Sequence, residues 1–152
     1  MSLDPLLEDA KKSFNEGNIE TALGDLDSAE KINSTDFRIY FYYGRCYIRK
    51  NEFEKAVEKL EKAYKMNPIG HVSFYLAKAY VLNDQFSKTV EFINSAFKLG
   101  ISNKIRAGLN YFKAGALLEL GKKEKSIKAA EKAAELMPEN AEYQRILEYL
   151  RK

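Results

Sequence analysis

Residues Asn51–Pro68 read NEFEKAVEKLEKAYKMNP, and this stretch decides the fold. Phe53, Ala56, Leu60 and Ala63 return at spacings of three and four, as one face of a helix requires. On the other face Glu58 precedes Lys62 by four residues and Glu61 precedes Lys65 by four, the favourable order for a solvated helical surface.

The stretch has relatives on both sides, so the helix is one unit of an internal repeat. GNIETALGDLDSAEKINS precedes it at a shift of 34, which lays Ile19 on Phe53, Ala22 on Ala56, Leu26 on Leu60, Ala29 on Ala63 and Ser34 on Pro68. A shift of 33 carries Tyr47 to Tyr80, Phe53 to Phe86, Leu60 to Ile93 and Ala63 to Ala96. A last copy takes Gly44 to Gly115 at a shift of 71, then Ala63 to Ala133 and Pro68 to Pro138 at 70, which implies one residue lost in the turn at Gly121. The expectation is an all-α chain of four helical hairpins, at about 3–34, 37–68, 70–101 and 103–138, closed by an amphipathic helix over 139–152. In that last helix Ile146, Leu147 and Leu150 face inward, and Glu142, Arg145, Glu148 and Arg151 face outward.

Composition agrees with one folded array. At 152 residues and 45% hydrophobic, the chain can bury a continuous core, and no linker interrupts it. Its 25 basic and 22 acidic residues leave a dispersed net charge of +3, too small to argue for nucleic acid. The opening MSLDPLLEDA has no basic segment followed by an apolar one, and no run approaches the roughly 18 apolar residues of a membrane span. Together with a single cysteine, Cys46, this places the chain in the cytoplasm, away from membranes.

The pattern resembles the tetratricopeptide repeat family, a 34-residue hairpin of the form W-x2-L-G-x2-Y, A-x3-F, A, P. The second copy carries Tyr40, Tyr43, Gly44 and Tyr47, then Ala56, Leu60, Ala63 and Pro68. The third has Leu76, Ala77 and Tyr80, then Thr89, Ile93 and Ala96, with Ile101 in place of the proline. The fourth has Tyr111, Ala114, Gly115 and Leu118, then Ser126, Ala130, Ala133 and Pro138. The first is weaker, with Leu6, Asp9, Ala10, Ala22, Leu26, Ala29 and Ser34. No copy has the tryptophan. The resemblance covers residues 3–138 and implies a right-handed α–α superhelix of antiparallel helix pairs.

Within the second copy, RIYFYYGRCY (Arg38–Tyr47) crowds five rings around one glycine. Tyr40, Tyr43, Gly44 and Tyr47 share a face, where Gly44 lets the second helix approach and the tyrosines fill the space around the contact. Cys46 reads as a small buried residue. Arg38, Phe41, Tyr42, Arg45 and Arg49 lie on the opposite flank. In tetratricopeptide arrays the first helices line a concave groove that holds peptides or partner helices. The resemblance therefore puts these five residues in the groove, with His71, Phe74, Tyr75 and Lys78 from the third copy and Phe112 and Lys113 from the fourth. Phe41, Phe74 and Phe112 have two readings, as pockets for a partner or as packing between successive hairpins. A partner segment with apolar anchors and some acidic residues suits such a groove. His71 reads as a helix-entry residue.

Other functions find less support in the residues. The carboxylate clamp used by some tetratricopeptide domains is not rebuilt, whether its places fall on Phe41, Arg45, Tyr75, Leu109 and Lys113 or on Leu7, Lys11, Tyr42, His71 and Tyr75. One histidine and one cysteine offer no metal cluster, and neither G-x-S-x-G nor H-E-x-x-H occurs, so the chain reads as non-catalytic with no cofactor. GALLELGKK imitates a phosphate loop, but five residues separate Gly115 from Gly121 and Lys122 is followed by lysine. The alternatives are an RNA-binding helical repeat, in which rings beside arginines stack bases, and a self-associating module. LLEDAKKSF starts without a polar cap, which leaves dimerisation through the first hairpin, or a longer array, open.

Overall fold

Four residues with left-handed backbone punctuate the computed structural model, which describes residues 2–152: Gly17 (φ 84°), Asn51 (59°), Asp84 (57°) and Gly121 (75°). Each closes one helix and stands two residues before the next, a conformation that glycine, asparagine and aspartate adopt most readily. At every one of these turns the following amide reaches back to the helix. Asn18 N–H donates to Ser13 O, Glu52 N–H to Tyr47 O, Gln85 N–H to Tyr80 O and Lys122 N–H to Leu117 O, all at 2.8–2.9 Å. These bonds satisfy carbonyls that a helix end would otherwise leave unpaired.

The described residues contain nine helices and no strand. They are α1 (Asp4–Asn15), α2 (Ile19–Ile32), α3 (Phe37–Arg49), α4 (Phe53–Met66), α5 (Gly70–Leu82), α6 (Phe86–Ala96), α7 (Asn103–Glu119), α8 (Lys123–Leu136) and α9 (Ala141–Arg151). One compact unit ends at Pro68 and the next begins at Ile69.

The turns correct the register expected for the last copy. Gly121 lies 70 residues after Asn51, so the offset is already 70 within the turn and no residue is lost there. Counting back seven residues from each turn pairs Gly44 with Ala114, not with Gly115. The contacts agree. Ala114 is fully buried and its carbonyl accepts the Ser126 hydroxyl of α8 at 2.6 Å, whereas a Cβ on Gly115 would meet nothing within 4 Å. The irregularity is an extra turn at the start of α7, which runs 17 residues where α3 and α5 run 13.

In the first unit α1 packs on α2 and α3, and α3 packs on α2 and α4. Leu7, Ala10 and Phe14 of α1, Ala22, Leu26 and Ala29 of α2, and Ala56, Val57, Leu60 and Ala63 of α4 form buried stripes at helical spacing. Gly44 is needed where it stands, because a Cβ there would overlap the Leu60 side chain. Tyr40 and Tyr43 are buried beside it, and their hydroxyls turn to α2 and its C-terminal turn. Tyr40 donates to Ser34 O at 2.8 Å and lies 3.1 Å from Glu30 Oε2, while Tyr43 bonds the Asp27 carboxylate. Burial and these carboxylates push the Tyr43 phenol well above its ordinary pKa, so it stays a donor. Cys46 is fully buried, as the sequence suggests.

In the second unit α5 packs on α6 and α7, α7 on α6 and α8, and α8 on α9. One core joins Ala77, Ile93, Ala96 and Leu109. Another joins Ala114, Leu117, Ala129, Ala130 and Ala134 with Leu147 and Leu150 of α9, the inward residues expected there, and Ile146 packs partly buried against it. Ser102 caps α7 through Ile105 N–H (3.2 Å), and Asn140 caps α9 through Tyr143 N–H (3.1 Å).

Candidate functional site

The first helices of the hairpins, α3, α5 and α7, carry the candidate residues. In the first unit, Asp36 caps α3 through Arg38 N–H at 3.0 Å and binds the Arg38 guanidinium at 2.7 Å. Arg38 also reaches Asp4 at 3.1 Å, so its charge ties α3 to α1 and is already matched by two carboxylates. The hydrogen bond to Arg38 holds the Asp36 carboxyl below the usual carboxylate range.

Arg45 and Arg49 of α3 both lie over the ring of Phe14 on α1, at 4.7 and 5.0 Å. Arg45 is also 5.7 Å from the Phe41 ring, and Phe41 meets Tyr42 edge-on at 5.4 Å. Phe41, Tyr42, Arg45 and Arg49 are therefore clustered around one another and Phe14. Phe14, which the sequence reading did not single out, is their anchor. Guanidinium planes over an aromatic face gain about 0.5–2 kcal/mol and hold the side chains in place.

In the second unit a cleft of about 370 Å³ opens between α5, α7 and α9. Phe74, Lys78, Val81 and Leu82 line it from α5, Tyr111 and Phe112 from α7, and Glu142 and Tyr143 from α9. Its geometry rests on Gly108. A Cβ there would come within 2.5 Å of Phe74 Cε2, so the missing side chain lets the Phe74 ring lie against the α7 backbone. Phe74 then packs on Phe112 with ring centroids 5.1 Å apart, and Tyr111 packs on Tyr143 at 5.2 Å. Phe74 and Phe112 therefore pack on each other between α5 and α7, and both also line the cleft.

Tyr111 donates its hydroxyl to Glu142 Oε1 at 2.8 Å. Burial and this bond push its pKa up to about 12, so the phenol keeps its proton at neutral pH. The cleft consequently has aromatic walls, an ammonium group on α5 and a hydrogen-bonded carboxylate on α9.

Not every expected residue joins this cleft. Tyr75 meets Phe74 edge-on at 5.1 Å, and His71 is exposed in the first turn of α5. Lys113 belongs to a different surface, against α6 and α8, because the corrected register gives it the place that Tyr43 holds in α3. The equivalents of Phe41 and Tyr42 are Tyr111 and Phe112, and Gly115 stands where Arg45 does. Tyr111, Glu142 and Tyr143 also line the cleft, and the sequence reading does not single them out as candidate site residues. The slipped register puts the first on the packing face, and the others sit on the closing helix α9.

The tetratricopeptide repeat family profile matches residues 37–69 and again 107–140. The two starts are 70 residues apart, the offset that the turns give. No curated protein matches the chain by sequence. Among solved structures, MamA from Desulfovibrio magneticus RS-1 superposes with a TM-score of 0.84 at 19% identity, over 97% of this chain and 82% of that one. A thermophilic TPR protein of Thermus thermophilus gives 0.77 at 17% identity, over 98% and 81%. The first TPR domain of human RPAP3 gives 0.69 at 20% identity, over 76% and 90%. At these identities the likeness is one of fold. No described helix is long and apolar enough to cross a membrane.

Proposed function

The chain is a tetratricopeptide repeat protein, and from that premise we propose that it is a non-catalytic scaffold that holds a segment of a partner protein on its first helices. The observation that carries this reading is the cleft between α5, α7 and α9, with Phe74, Phe112, Tyr111 and Tyr143 as walls and Lys78 and Leu82 at one side. A space of about 370 Å³ suits one or two large side chains rather than a whole domain. An extended peptide or a helix with an aromatic or aliphatic anchor fills it, and an acidic residue beside the anchor meets Lys78. Repeat scaffolds present such clefts on rigid helices, which lowers the ordering cost of binding.

The test is selection of displayed random peptides on the intact chain, followed by challenge with Leu82→Asp. Leu82 is 37% exposed, so the substitution alters the cleft with little change in the core. Selected peptides should share an apolar anchor beside acidic residues and lose binding to Leu82→Asp. Peptides without a common anchor, or with unchanged binding to the variant, would overturn the reading.

A further inference from the structure

Residues Asn110, Lys113 and Leu117 of α7 point away from the aromatic cleft, toward α6 and α8. There they meet Val90 and Asn94 of α6 and Lys122, Lys125, Lys128 and Ala129 at and after the start of α8, around a cavity of about 390 Å³. Each set has helical spacing, so each element turns one stripe of side chains to the same space. Val90, Leu117 and Ala129 form an apolar floor continuous with the core below. The rim is four lysines and two asparagines.

No carboxylate lines this cavity, and none forms an ion pair with these four lysines among the described residues. Four charges in one place exceed the net charge of the whole chain, +3. The concentration is not neutral for the protein. Burial and the neighbouring Lys125 push the Lys113 ammonium below its ordinary pKa, and its Nζ lies 5.6 Å from the centre of the Phe97 ring with no acid to relieve it. Asn110 is buried and anchored by donating to Arg106 O at 3.0 Å, which fixes that wall of the cavity.

We propose that this cavity binds a small organic molecule bearing two or more phosphate groups, its phosphates among Lys113, Lys122, Lys125 and Lys128 and its carbon skeleton on Val90, Leu117 and Ala129. Charge selects the class. Two phosphomonoesters carry about −3 to −4 at neutral pH and match four ammonium groups, whereas a single carboxylate leaves most of them unpaired. Lysines are mobile point charges that suit the several oxygens of tetrahedral phosphates, and all four charges of the lining are lysines. The volume lies within the range of about 300–1,000 Å³ usual for small-molecule sites and exceeds the needs of one inorganic anion. The segment GALLELGKK takes part without being a phosphate loop. Its first five residues are helical in α7, and left-handed Gly121 turns the chain so that Lys122 opens α8 at the cavity.

Calorimetric titration of the intact chain with pyrophosphate and with inositol trisphosphate, at physiological ionic strength, tests the site. Sedimentation with vesicles containing phosphatidylinositol bisphosphate tells a lipid headgroup from a soluble ester. Inositol trisphosphate should bind saturably, one per chain, and more tightly than pyrophosphate, which lacks a skeleton for the floor. Lys125→Glu, at an exposed rim position in the first turn of α8, should weaken binding about tenfold or more. Lys132→Glu, on the same helix outside the cavity, should leave it unchanged. Vesicle binding that falls in Lys125→Glu without soluble-ester binding assigns the site to a lipid headgroup. No saturable binding of any probe, or equal loss in both variants, would overturn the proposal.

Discussion

Leu60 of α4 occupies the space beside α3 that a Cβ on Gly44 would fill. Gly44→Ala should therefore destabilise the chain by about 1–3 kcal/mol through overpacking, despite the roughly 1 kcal/mol that alanine gains over glycine in a helix. Gly115 is the matched control. It too is helical, but a Cβ there meets nothing within 4 Å, so Gly115→Ala should stabilise by about 0.5–1 kcal/mol. Denaturant unfolding of the two variants should give opposite signs.

That contrast shows how far the sequence could be read. The helices, the packing face of Tyr40, Tyr43 and Gly44, and the burial of Cys46 follow from spacing and residue size alone. The last copy failed by one residue, because Gly115 looks like the counterpart of Gly44 while the true counterpart, Ala114, is also small. The left-handed turn at Gly121 shows that the offset of 70 read from Ala133 and Pro138 already holds there, and an extra turn at the head of α7 leaves no mark in composition. The slip groups Lys113 with the rings of the cleft that Tyr111 in fact lines, whereas Lys113 lines the cavity against α6 and α8. The contributions of Glu142 and Tyr143 depend on where α9 lands, which is a tertiary fact with no local signal.

Gly108 should tolerate no side chain without loss of the aromatic cleft. Gly108→Ala forces the Phe74 ring away from α7 and parts it from Phe112. We expect a cost of about 1–3 kcal/mol in denaturant unfolding, together with loss of peptides selected on the wild-type chain. Unchanged unfolding would show that the ring has another place to lie.

Cys46 sets part of the alkaline limit of stability. Burial pushes its thiol from 9.0 up to about 11, so the folded chain favours the neutral form. That contribution is fully present below pH about 9 and is lost as pH rises toward about 11. On the order of 2 kcal/mol separates the two limits. Denaturant unfolding across this window should fall less steeply for Cys46→Ala than for wild type, and native Cys46 should resist thiol reagents near pH 8 until the chain is unfolded.

Lys78 separates recognition from folding. It lines the aromatic cleft from α5, one turn after Phe74 on the same face, and no ion pair within its unit holds its ammonium group. Lys78→Glu should therefore change thermal stability by no more than about 0.5 kcal/mol. A bound segment with an acidic residue beside its anchor would instead meet a like charge near Glu142, with part of the water excluded by Phe112 and Tyr143. Affinity for peptides selected on the wild-type chain should fall about tenfold, roughly 1.4 kcal/mol. Raising the salt should shrink the difference, because exposed charges are screened over about 8 Å at physiological ionic strength. Titration of one selected peptide into both proteins at two salt concentrations measures this directly. A loss that does not change with salt would mean that Lys78 acts through its aliphatic stem against the rings, and equal binding at both concentrations would remove it from the recognition surface.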